Sequence, residues 1–593
     1  MTKRTFVEKI FDSPAGSIVF RKPDIVLTHD NTASIKKTFE KMGGEKVADP
    51  NQLLVVLDHN APPTTANLAT QYQSIRDIVK DQGIKMFYDA GRGICHQIMS
   101  YHAKPGMIIV GSDSHTCTAG AFNAMAAGID RTEAAGLWRR GDTWFRVPES
   151  MKITLHGKLN KNVFAKDLSL WIIGMIGSDG ANYMSIEYHG DGVETLSISD
   201  RMTLANLASE MGAKNAVFPY DAVLKEFYNG EPQNSIWADE GAVYAKEITI
   251  NLSEIFPVVA APHHVDNVKS VSSVLGTTLH EGLIGTCTNG RIEDLREAAE
   301  ALRGKKVAEV FQLLITPASR EIYQQAIKEG LVDVFLDANA NILAPSCGPC
   351  LGTGQGIPAD GFNVISTANR NFKGRMGNPN SNVYLASPRT VALSAVAGKI
   401  VDPREIESND IYPFSVAQSS TVEVPSDELR KSGNVWDYAD ADNLNTDQMF
   451  AGNLTYKVLS SDAEAIMPHL FAGFDSKFAS NVAQGDIIIA GDNFGCGSSR
   501  EHPSVGLAHA GIQAVIVKSV NRIFFRSSVN QGLPIIVNPE AVSAYKRGDS
   551  LSIDFENGLI RISNQEFAFN PLPDKLLAIF EAKGLVNFIN QDN

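Results

Sequence analysis

The stretch Leu53-Leu-Val-Val-Leu-Asp-His59 decides the fold class, because a run of apolar residues is followed at once by an acid and an imidazole. Similar apolar runs occur at 107–110 and 362–365, and longer helical stretches separate them. The stretches 291–302 and 319–328 carry apolar residues at steps of three and four, as amphipathic helices do. This alternation predicts an α/β fold with parallel strands, in which ligands bind at the carboxyl ends of the strands.

Length and composition exclude several classes of protein. The 593 residues include 53 basic and 67 acidic side chains, which gives a formal charge of −14. The length predicts about three to five domains, and the acidity disfavours general nucleic-acid binding. Six cysteines are too few for a disulfide-rich secreted protein. With no export signal and no apolar run of about 18 residues, the sequence predicts a soluble, cytoplasmic protein without a membrane segment.

The pattern along the chain predicts three parts. The α/β alternation extends from residue 1 to about 400, and it weakens between 401 and 433, where charged, proline and small polar residues mix. That composition is typical of a linker. A second α/β pattern occupies 434–593, which is long enough for one further domain. The sequence therefore predicts a large region tethered to a smaller one.

Three cysteines in predicted loops indicate a metal site. Cys287 lies in Gly-Thr-Cys-Thr-Asn, and Cys347 and Cys350 lie in Pro-Ser-Cys-Gly-Pro-Cys. A Cys-x-x-Cys loop lets two thiolates converge on one centre, whereas a structural zinc site needs a fourth protein ligand. Three ligands would leave a coordination position open on iron or zinc. The alternatives are a redox pair or simply buried thiols.

Histidines near strand ends form a second set of candidates. Asp58 precedes His59, Asp113 lies two residues before His115, and His96 follows a glycine-rich turn. A carboxylate can fix the tautomer of a neighbouring imidazole and tune it for proton transfer. Each of these histidines alone is more often a structural residue.

Four further polar residues lie in two pairs. Asn206 and Glu210 are spaced to share one helix face, and Arg370 and Arg375 offer two guanidinium groups. Guanidinium forks bind carboxylates bidentately. In isolation, surface ion pairs would be the simpler interpretation.

The smaller region carries the glycine-rich segment Gly491-Asp-Asn-Phe-Gly-Cys-Gly-Ser-Ser-Arg-Glu-His502 after a predicted strand. Its glycines permit a tight turn that would expose Ser498, Ser499 and Arg500 at a helix start. A serine there is a nucleophile, a base or a helix cap, and the Gly-x-Ser-x-Gly pattern of esterases is missing. Lys457 either supplies a charge to a further substrate carboxylate or is a surface lysine.

Several motifs occur in the order that is found in the aconitase superfamily. They are Gly91-Arg-Gly-Ile-Cys-His-Gln97, Ser112-Asp-Ser-His-Thr116, Cys287-Thr-Asn-Gly-Arg-Ile-Glu-Asp-Leu295 and Gly495-Cys-Gly-Ser-Ser-Arg-Glu-His502. The chain resembles the branch of that superfamily that contains 3-isopropylmalate dehydratase and homoaconitase. Large and small parts that are separate subunits in many of those enzymes look fused here. The resemblance implies a three-lobed α/β region around an iron-sulfur cluster plus a smaller α/β swivel domain.

The resemblance also implies roles for the candidates. Cys287, Cys347 and Cys350 would hold three irons of a 4Fe-4S cluster, and the fourth iron would bind substrate. Ser499 looks like the base, and His59, oriented by Asp58, looks like the acid. The other residues that resemble family site residues are the pairs His96–Asp113 and His115–Glu210, the cluster neighbours Asn206 and Asn369, and the substrate contacts Ser114, Arg370, Arg375, Ser498 and Arg500.

The implied activity is a reversible dehydration and rehydration of a small di- or tricarboxylic hydroxy acid. The sequence of the large region favours a 3-isopropylmalate dehydratase activity, and aconitate hydratase and homoaconitase activities are the alternatives. An iron-sulfur RNA-binding regulator is a competing class, but the net charge makes a nucleic-acid partner a poor fit. A zinc-dependent hydrolase is a third possibility. We expect a monomer or a small homo-oligomer.

Overall fold

A computed structural model of the chain describes residues 3–230, 234–406, 408–414, 430–451, 454, 458–497, 500–570 and 574–591. Strands and helices alternate through most of these residues, as the sequence pattern predicts. The predicted lysine and serine site residues Lys457, Ser498 and Ser499 lie outside the described residues. Among the helices that are described, none combines the length and apolarity needed to cross a membrane.

The first part of the chain forms a five-stranded parallel sheet, with strand order β4-β3-β2-β5-β6. The predicted strand at 53–57 is confirmed within one residue as Leu53–Val56, and all four residues are buried, as expected for a parallel sheet covered on both faces. The elements are β1 (Ile18–Arg21), β2 (Ile25–Thr28), β3 (Leu53–Val56), β4 (Met86–Tyr88), β5 (Ile108–Gly111), β6 (Met125–Gly128) and β7 (Thr143–Arg146), with helices α1 (Phe6–Ile10), α2 (Thr32–Lys41), α3 (Ala66–Gln82), α4 (Cys95–Met99) and α5 (Arg131–Arg140).

A second parallel sheet follows, with the order β10-β9-β8-β11. Its elements are β8 (Ser150–His156), β9 (Ser185–His189), β10 (Asn215–Val217) and β11 (Lys246–Asn251), with helices α6 (Ala165–Ile176), α7 (Ile198–Leu207) and α8 (Ala222–Phe227). Helix α7 ends at Leu207 and continues as a 3₁₀ turn, Ala208–Met211. Asn206 and Glu210 therefore lie on consecutive helical turns of different type rather than on one α-helix.

The third sheet has seven strands in the order β13-β12-β18-β17-β14-β15-β16, and β12 pairs antiparallel with both of its neighbours. The predicted helices at 291–302 and 319–328 are confirmed within one residue. The elements are β12 (Val258–Ala260), β13 (Val268–Ser270), β14 (Glu281–Gly285), β15 (Gln312–Thr316), β16 (Asn341–Ile342), β17 (Asn363–Ser366) and β18 (Asn382–Leu385), with helices α9 (Thr286–Asn289), α10 (Ile292–Leu302), α11 (Arg320–Lys328), α12 (Leu331–Asp337) and α13 (Pro388–Ala397).

The last part of the chain contains a mixed five-stranded sheet, β19-β20-β21-β22-β23, and a three-stranded antiparallel sheet, β24-β25-β26. Its strands are β19 (Lys431–Ser432), β20 (Val435–Tyr438), β21 (Ile487–Ala490), β22 (Ala514–Val517), β23 (Ile535–Val537), β24 (Leu551–Asp554), β25 (Leu559–Ile562) and β26 (Gln565–Ala568). Its helices are α14 (Thr446–Met449), α15 (Ala463–Ile466), α16 (Phe478–Asn481), α17 (His502–His509), α18 (Arg522–Asn530), α19 (Pro539–Ala544), α20 (Asp574–Glu581) and α21 (Leu585–Gln591).

The first half of the predicted linker is held against the large region. Arg404 forms ion pairs with Asp402 and Asp410. The Tyr412 hydroxyl donates to the Trp171 carbonyl at 2.6 Å, and the two rings meet edge to face. These contacts fix the direction in which the chain leaves the third sheet. The domain boundaries themselves stay a prediction.

Buried contacts join the last part of the chain to the first sheet region. The Arg526 guanidinium lies 3.8 Å from the ring centroid of Trp144 and pairs with the buried carboxylate of Glu133. The C-terminal helices α20 and α21 add apolar side chains to the core that contains Trp138. Because charged groups buried away from water need partners, this ion pair specifies how the two parts meet.

Two buried carboxyl groups, those of Asp130 and Glu501, approach each other at the same junction. The Asp130 side chain caps helix α5 and accepts a hydrogen bond from Asn530 at 2.6 Å, and Glu501 accepts the Thr132 amide at 2.6 Å. Burial, followed by the charge of Glu501, raises the pKa of Asp130 well above 3.8. The stability that this group contributes is therefore present at low pH and is lost as the pH rises.

Replacing Asp130 with Asn is expected to raise the midpoint of thermal unfolding by about 2–4 °C at about pH 7.5, the shift that about 1 kcal/mol produces in a unit of 150–250 residues. Asparagine carries no charge and keeps an oxygen for the Glu133 amide, and the Asn530 side chain can flip so that its oxygen accepts from the new amide. Calorimetry of the metal-loaded protein should show this gain shrinking at about pH 4.5, where the native acid is protonated. The exposed Asp81→Asn variant is the control, and an equal gain at both pH values would contradict the explanation.

Candidate active site

A cavity of about 520 Å³ lies where the carboxyl ends of strands from the large region face the last part of the chain. The polar loops after β2, β3, β5, β14 and β17 all contribute to its wall. Its wall also includes five cationic side chains, Arg131, Arg370, Lys373, Arg375 and Arg500, and two carboxylates, Asp113 and Asp447. This is the position at which open α/β sheets bind ligands, and the excess of cations suits an anionic one.

All three predicted cysteine ligands line this cavity. Cys287 follows β14 on the short helix α9, Cys347 directly precedes the 3₁₀ turn Gly348–Leu351, and Cys350 lies within that turn. None of them is in a disulfide. Burial raises the pKa of the Cys287 thiol to about 12, so the metal-free protein keeps this proton and a metal must displace it.

Hydrogen-bond donors surround the sulfur atoms. The amides of Asn206 and Asn369 lie 3.4 Å and 3.5 Å from Cys287 Sγ. The Arg375 guanidinium lies 3.7 Å from Cys350 Sγ. Donors of this kind stabilise negative charge on thiolate or sulfide. The two asparagines therefore support the thiolates, as the predicted cluster neighbours should.

The spacing of the thiols fits a cluster better than a single ion. Among the described residues, the groups of three or more ligand atoms that lie within 4.8 Å of one another do not include the three cysteines together. Sulfur ligands of one tetrahedral zinc ion would be about 3.8 Å apart. Three separated cysteine donors around one cavity match the ligand set of an iron-sulfur cluster.

His59 is held between two carboxylates. Its Nδ1 lies 2.7 Å from Asp58 Oδ1, and its Nε2 lies 3.4 Å from Asp113 Oδ2. The other oxygen of Asp58 accepts the amide of Cys95 at 2.7 Å. Burial favours the neutral ring, but the charge of Asp58 and these contacts together raise the pKa of His59 well above its ordinary value. His59 is thus held at both ring nitrogens beside Cys347, in surroundings that favour its protonated form.

Asp113 also receives the second predicted histidine. His96 Nε2 lies 2.7 Å from Asp113 Oδ1, and the His115 amide donates to the same oxygen at 2.8 Å. Burial alone would raise the pKa of Asp113, but the charge of His96 and the bonds from its neighbours hold it well below the ordinary value. The carboxylate therefore remains charged in the cavity wall.

The third predicted pair extends into a buried chain of four side chains. His115 Nε2 lies 2.7 Å from Glu210 Oε1, and Arg370 Nε donates to the same carboxylate at 2.9 Å. Arg370 also donates to Ser114 Oγ at 3.1 Å. Burial opposes ionisation, but the charge of Arg370 and the His115 bond lower the pKa of Glu210 to about 2. This chain fixes the Arg370 fork at the cavity.

The last part of the chain contributes Arg500, whose Nη1 donates to Asp447 Oδ1 at 2.7 Å and to the Phe450 carbonyl at 2.8 Å. A second cavity of about 920 Å³ shares Arg370, Lys373 and Asp447 with the first. Gly497 borders that second cavity. The described residues on either side of the serine pair 498–499 therefore both line a cavity.

Sequence reasoning missed His29, Asn31 and Arg131, which also line the cavity. The His29 ring stacks on His59 with 3.8 Å between the ring centroids, and Asn31 Nδ2 lies 2.8 Å from His29 Nε2. Burial and the charge of His59 lower the pKa of His29 to about 3, which keeps it neutral. A polar triplet directly after strand β2 was the available signal, and it is the same signal that identified Asp58 and His59.

Two family profiles match this chain. The profile of the aconitase family (aconitate hydratase) matches residues 4–398, and that of the aconitase C-terminal domain matches residues 440–540. The chain belongs to the aconitase family. The expected fusion is therefore confirmed, since both parts of this family occur in one chain. It is an enzyme of the hydro-lyase type.

Relatives from this family are named after two substrates. The chain is 44% identical over 413 residues to 3-isopropylmalate dehydratase large subunit 1 of Methanopyrus kandleri, covering 68% of this chain and 99% of the relative. It is 45% identical over 389 residues to the probable methanogen homoaconitase large subunit of Methanosarcina mazei, covering 65% and 99%. A crystal structure of 3-isopropylmalate dehydratase from Methanocaldococcus jannaschii is 35% identical, with a TM-score of 0.24, and covers 26% of this chain and 89% of that one.

Proposed function

We propose that this chain is an iron-sulfur hydro-lyase that holds a 4Fe-4S cluster on Cys287, Cys347 and Cys350. Its substrate would be a hydroxy di- or tricarboxylic acid that loses water and takes it up again at the neighbouring carbon. The observation that carries this proposal is the convergence of three free thiols, three imidazole–carboxylate pairs and several guanidinium groups on one cavity. A pure binding protein has no need of the buried proton-transfer pairs.

The residues would divide the chemistry between the two parts of the chain. When bound, the cluster supplies an open iron that acts as a Lewis acid toward the departing hydroxyl. His59, oriented by Asp58, would donate the proton to that hydroxyl. Ser499 would remove the proton from the neighbouring carbon, with the charge of Arg500 favouring the serine anion. Asp113 would keep His96 in place.

The substrate carboxylates would be bound by guanidinium forks. Arg370 is rigid because Glu210 and Ser114 hold it, and Arg375 lies beside Cys350. Rigid forks bind carboxylates with less loss of entropy than free side chains. Arg500 and Ser498 would complete the site from the other side, and Lys457 is a further candidate for an extra carboxylate.

We propose 3-isopropylmalate as the preferred candidate substrate, because the sequence around Cys287 resembles that of the isopropylmalate and homoaconitate branch. A homoaconitase or aconitate hydratase activity is the alternative. We further propose a cytoplasmic enzyme, since six free cysteines suit a reducing compartment. The fused chain would act as a monomer or small homo-oligomer.

The test is an alkene absorbance assay on protein purified without oxygen, with 3-isopropylmalate, citrate, homocitrate and 2,3-dimethylmalate in parallel. Iron and labile sulfide are measured on the same sample. Turnover of at least one acid by protein that contains iron and sulfide is the expected result. A sample with intact cluster that turns over none of the four would overturn the proposal, and so would one zinc per chain with no sulfide.

A further inference from the structure

Arg131 is a cavity cation to which the proposed reaction assigns no role. It is the first residue of α5 and lines the same wall as His29 and His59. Its Nη1 lies 3.5 Å from Ser460 Oγ, two residues beyond the segment 449–458 in which Lys457 lies. Burial is the main cause that lowers the pKa of both His29 and His502 to about 3, and the charge of Arg131 is a smaller cause in the same direction for each. The guanidinium therefore stands between the two parts of the chain.

The backbone on each side of Arg131 is fixed. Asp130 caps the helix through the Glu133 amide at 2.7 Å, and the Thr132 amide donates to Glu501 at 2.6 Å. Glu501 directly follows Arg500, so this bond couples the positions of the two cavity arginines. Because this backbone is fixed, Arg131 would lose less conformational entropy on binding an anion than an arginine on a mobile segment.

The other cavity arginines are sufficient for two carboxylates. Arg370 is held by Glu210, Arg500 by Asp447, and Arg375 lies against the Cys350 sulfur. The apolar branch of a dicarboxylate would displace water from Arg131 without replacing its hydrogen bonds, which is unfavourable. A third carboxylate would instead form a charge-assisted hydrogen bond with Arg131.

We propose that Arg131 is a specificity-determining residue that binds the third carboxylate of a hydroxytricarboxylate. This inference rests on the proposed function and refines its substrate class. Arg131 would raise the preference of the enzyme for a tricarboxylate relative to 3-isopropylmalate, whichever of the two has the larger absolute rate.

The test compares kcat/KM for homocitrate, citrate and 3-isopropylmalate in the cluster-loaded wild type and in Arg131→Leu, Arg131→Lys and Arg140→Leu. Arg140 lies at the opposite end of α5 and pairs with Asp142, so its variant removes the same charge from the same helix. An acid that is not turned over is measured as a competitive inhibitor. Circular dichroism and iron content show whether each variant is folded and loaded.

We expect Arg131→Leu to lower the kcat/KM for a tricarboxylate, divided by the kcat/KM for 3-isopropylmalate, by about 10- to 100-fold. Where an acid is only an inhibitor, the ratio of the two affinities should fall by the same factor. Arg131→Lys should restore part of the ratio, and Arg140→Leu should leave it unchanged. An unchanged ratio in Arg131→Leu, or an equal loss for all acids, would overturn the inference. Failure of the proposed function would be visible separately, as no turnover of any acid by the loaded wild type.

Discussion

Replacing Cys347 with Ala is expected to remove the iron-sulfur cluster and to lower kcat/KM by a factor of about 10³ or more. Cys347 is central to the site, because its amide donates to the Asp58 carbonyl at 3.2 Å and its thiol lies beside His59. A metal centre contributes several kcal/mol to such a reaction, and each 1.36 kcal/mol is a factor of about ten in rate. Iron, labile sulfide and visible absorbance are measured after anaerobic purification, together with the alkene assay.

The matched control is Cys496→Ser, a thiol near the site to which no ligand role is assigned. Cys496 Sγ lies 3.5 Å from the Asn443 carbonyl, and a serine hydroxyl can make the same bond. This variant should keep its iron and most of its activity. If Cys347→Ala retained a full complement of iron and sulfide, or if Cys496→Ser lost it, the assignment of the three ligands would be wrong.

The cysteine prediction illustrates what the sequence can and cannot determine. Runs such as Leu53–Val56 and Ile487–Ala490 predict buried parallel strands, and polar residues directly after a strand predict the edge at which a site forms. That reasoning identified His59, Asp113 and the cysteines, all of which line one cavity. Within each sheet the local pattern was sufficient, because neighbouring parallel strands end at the same edge, but it did not show that the edges of the first and third sheets face one cavity.

Contacts between distant parts of the chain could not be predicted. Arg526 and Glu133 are 393 residues apart, and nothing in either local sequence indicates that they form a buried pair. The same holds for Arg131, which reads as an ordinary first-turn residue of a helix until the last part of the chain is placed beside it. An amphipathic pattern shows that α21 has an apolar face, but it does not show that this face packs against α5.

The family resemblance provided what local physics could not, namely a role for the serine pair. Residues 498 and 499 lie outside the described residues, so their role rests on the motif and on their neighbours. Gly497 borders one cavity and Arg500 borders the other, while Arg500 is anchored by Asp447. A base on this segment would come from the last part of the chain, whereas the cysteines belong to the large region, so both parts of the chain would be needed for one reaction.

Replacing Ser499 with Ala should therefore lower kcat by a factor of about 10² to 10⁴, the usual contribution of a positioned general base. Iron and sulfide should remain at the wild-type level, because Ser499 is not a proposed ligand. This combination of lost turnover with an intact cluster separates the base from the ligands. KM should change little if Ser499 acts mainly in the transition state.

The control for this prediction is Ser480→Ala, because the Ser480 hydroxyl is exposed on α16 and donates to the Lys477 carbonyl at 3.1 Å. That variant should match the wild type in kcat, KM and iron content. Deuterium exchange at the substrate carbon next to the hydroxyl-bearing carbon gives an independent readout, since a missing base stops proton removal as well as net dehydration. A wild-type rate of deuterium exchange in Ser499→Ala would mean that another group removes the proton. The next residue to test would then be its neighbour Arg500, with Arg500→Lys as the conservative variant.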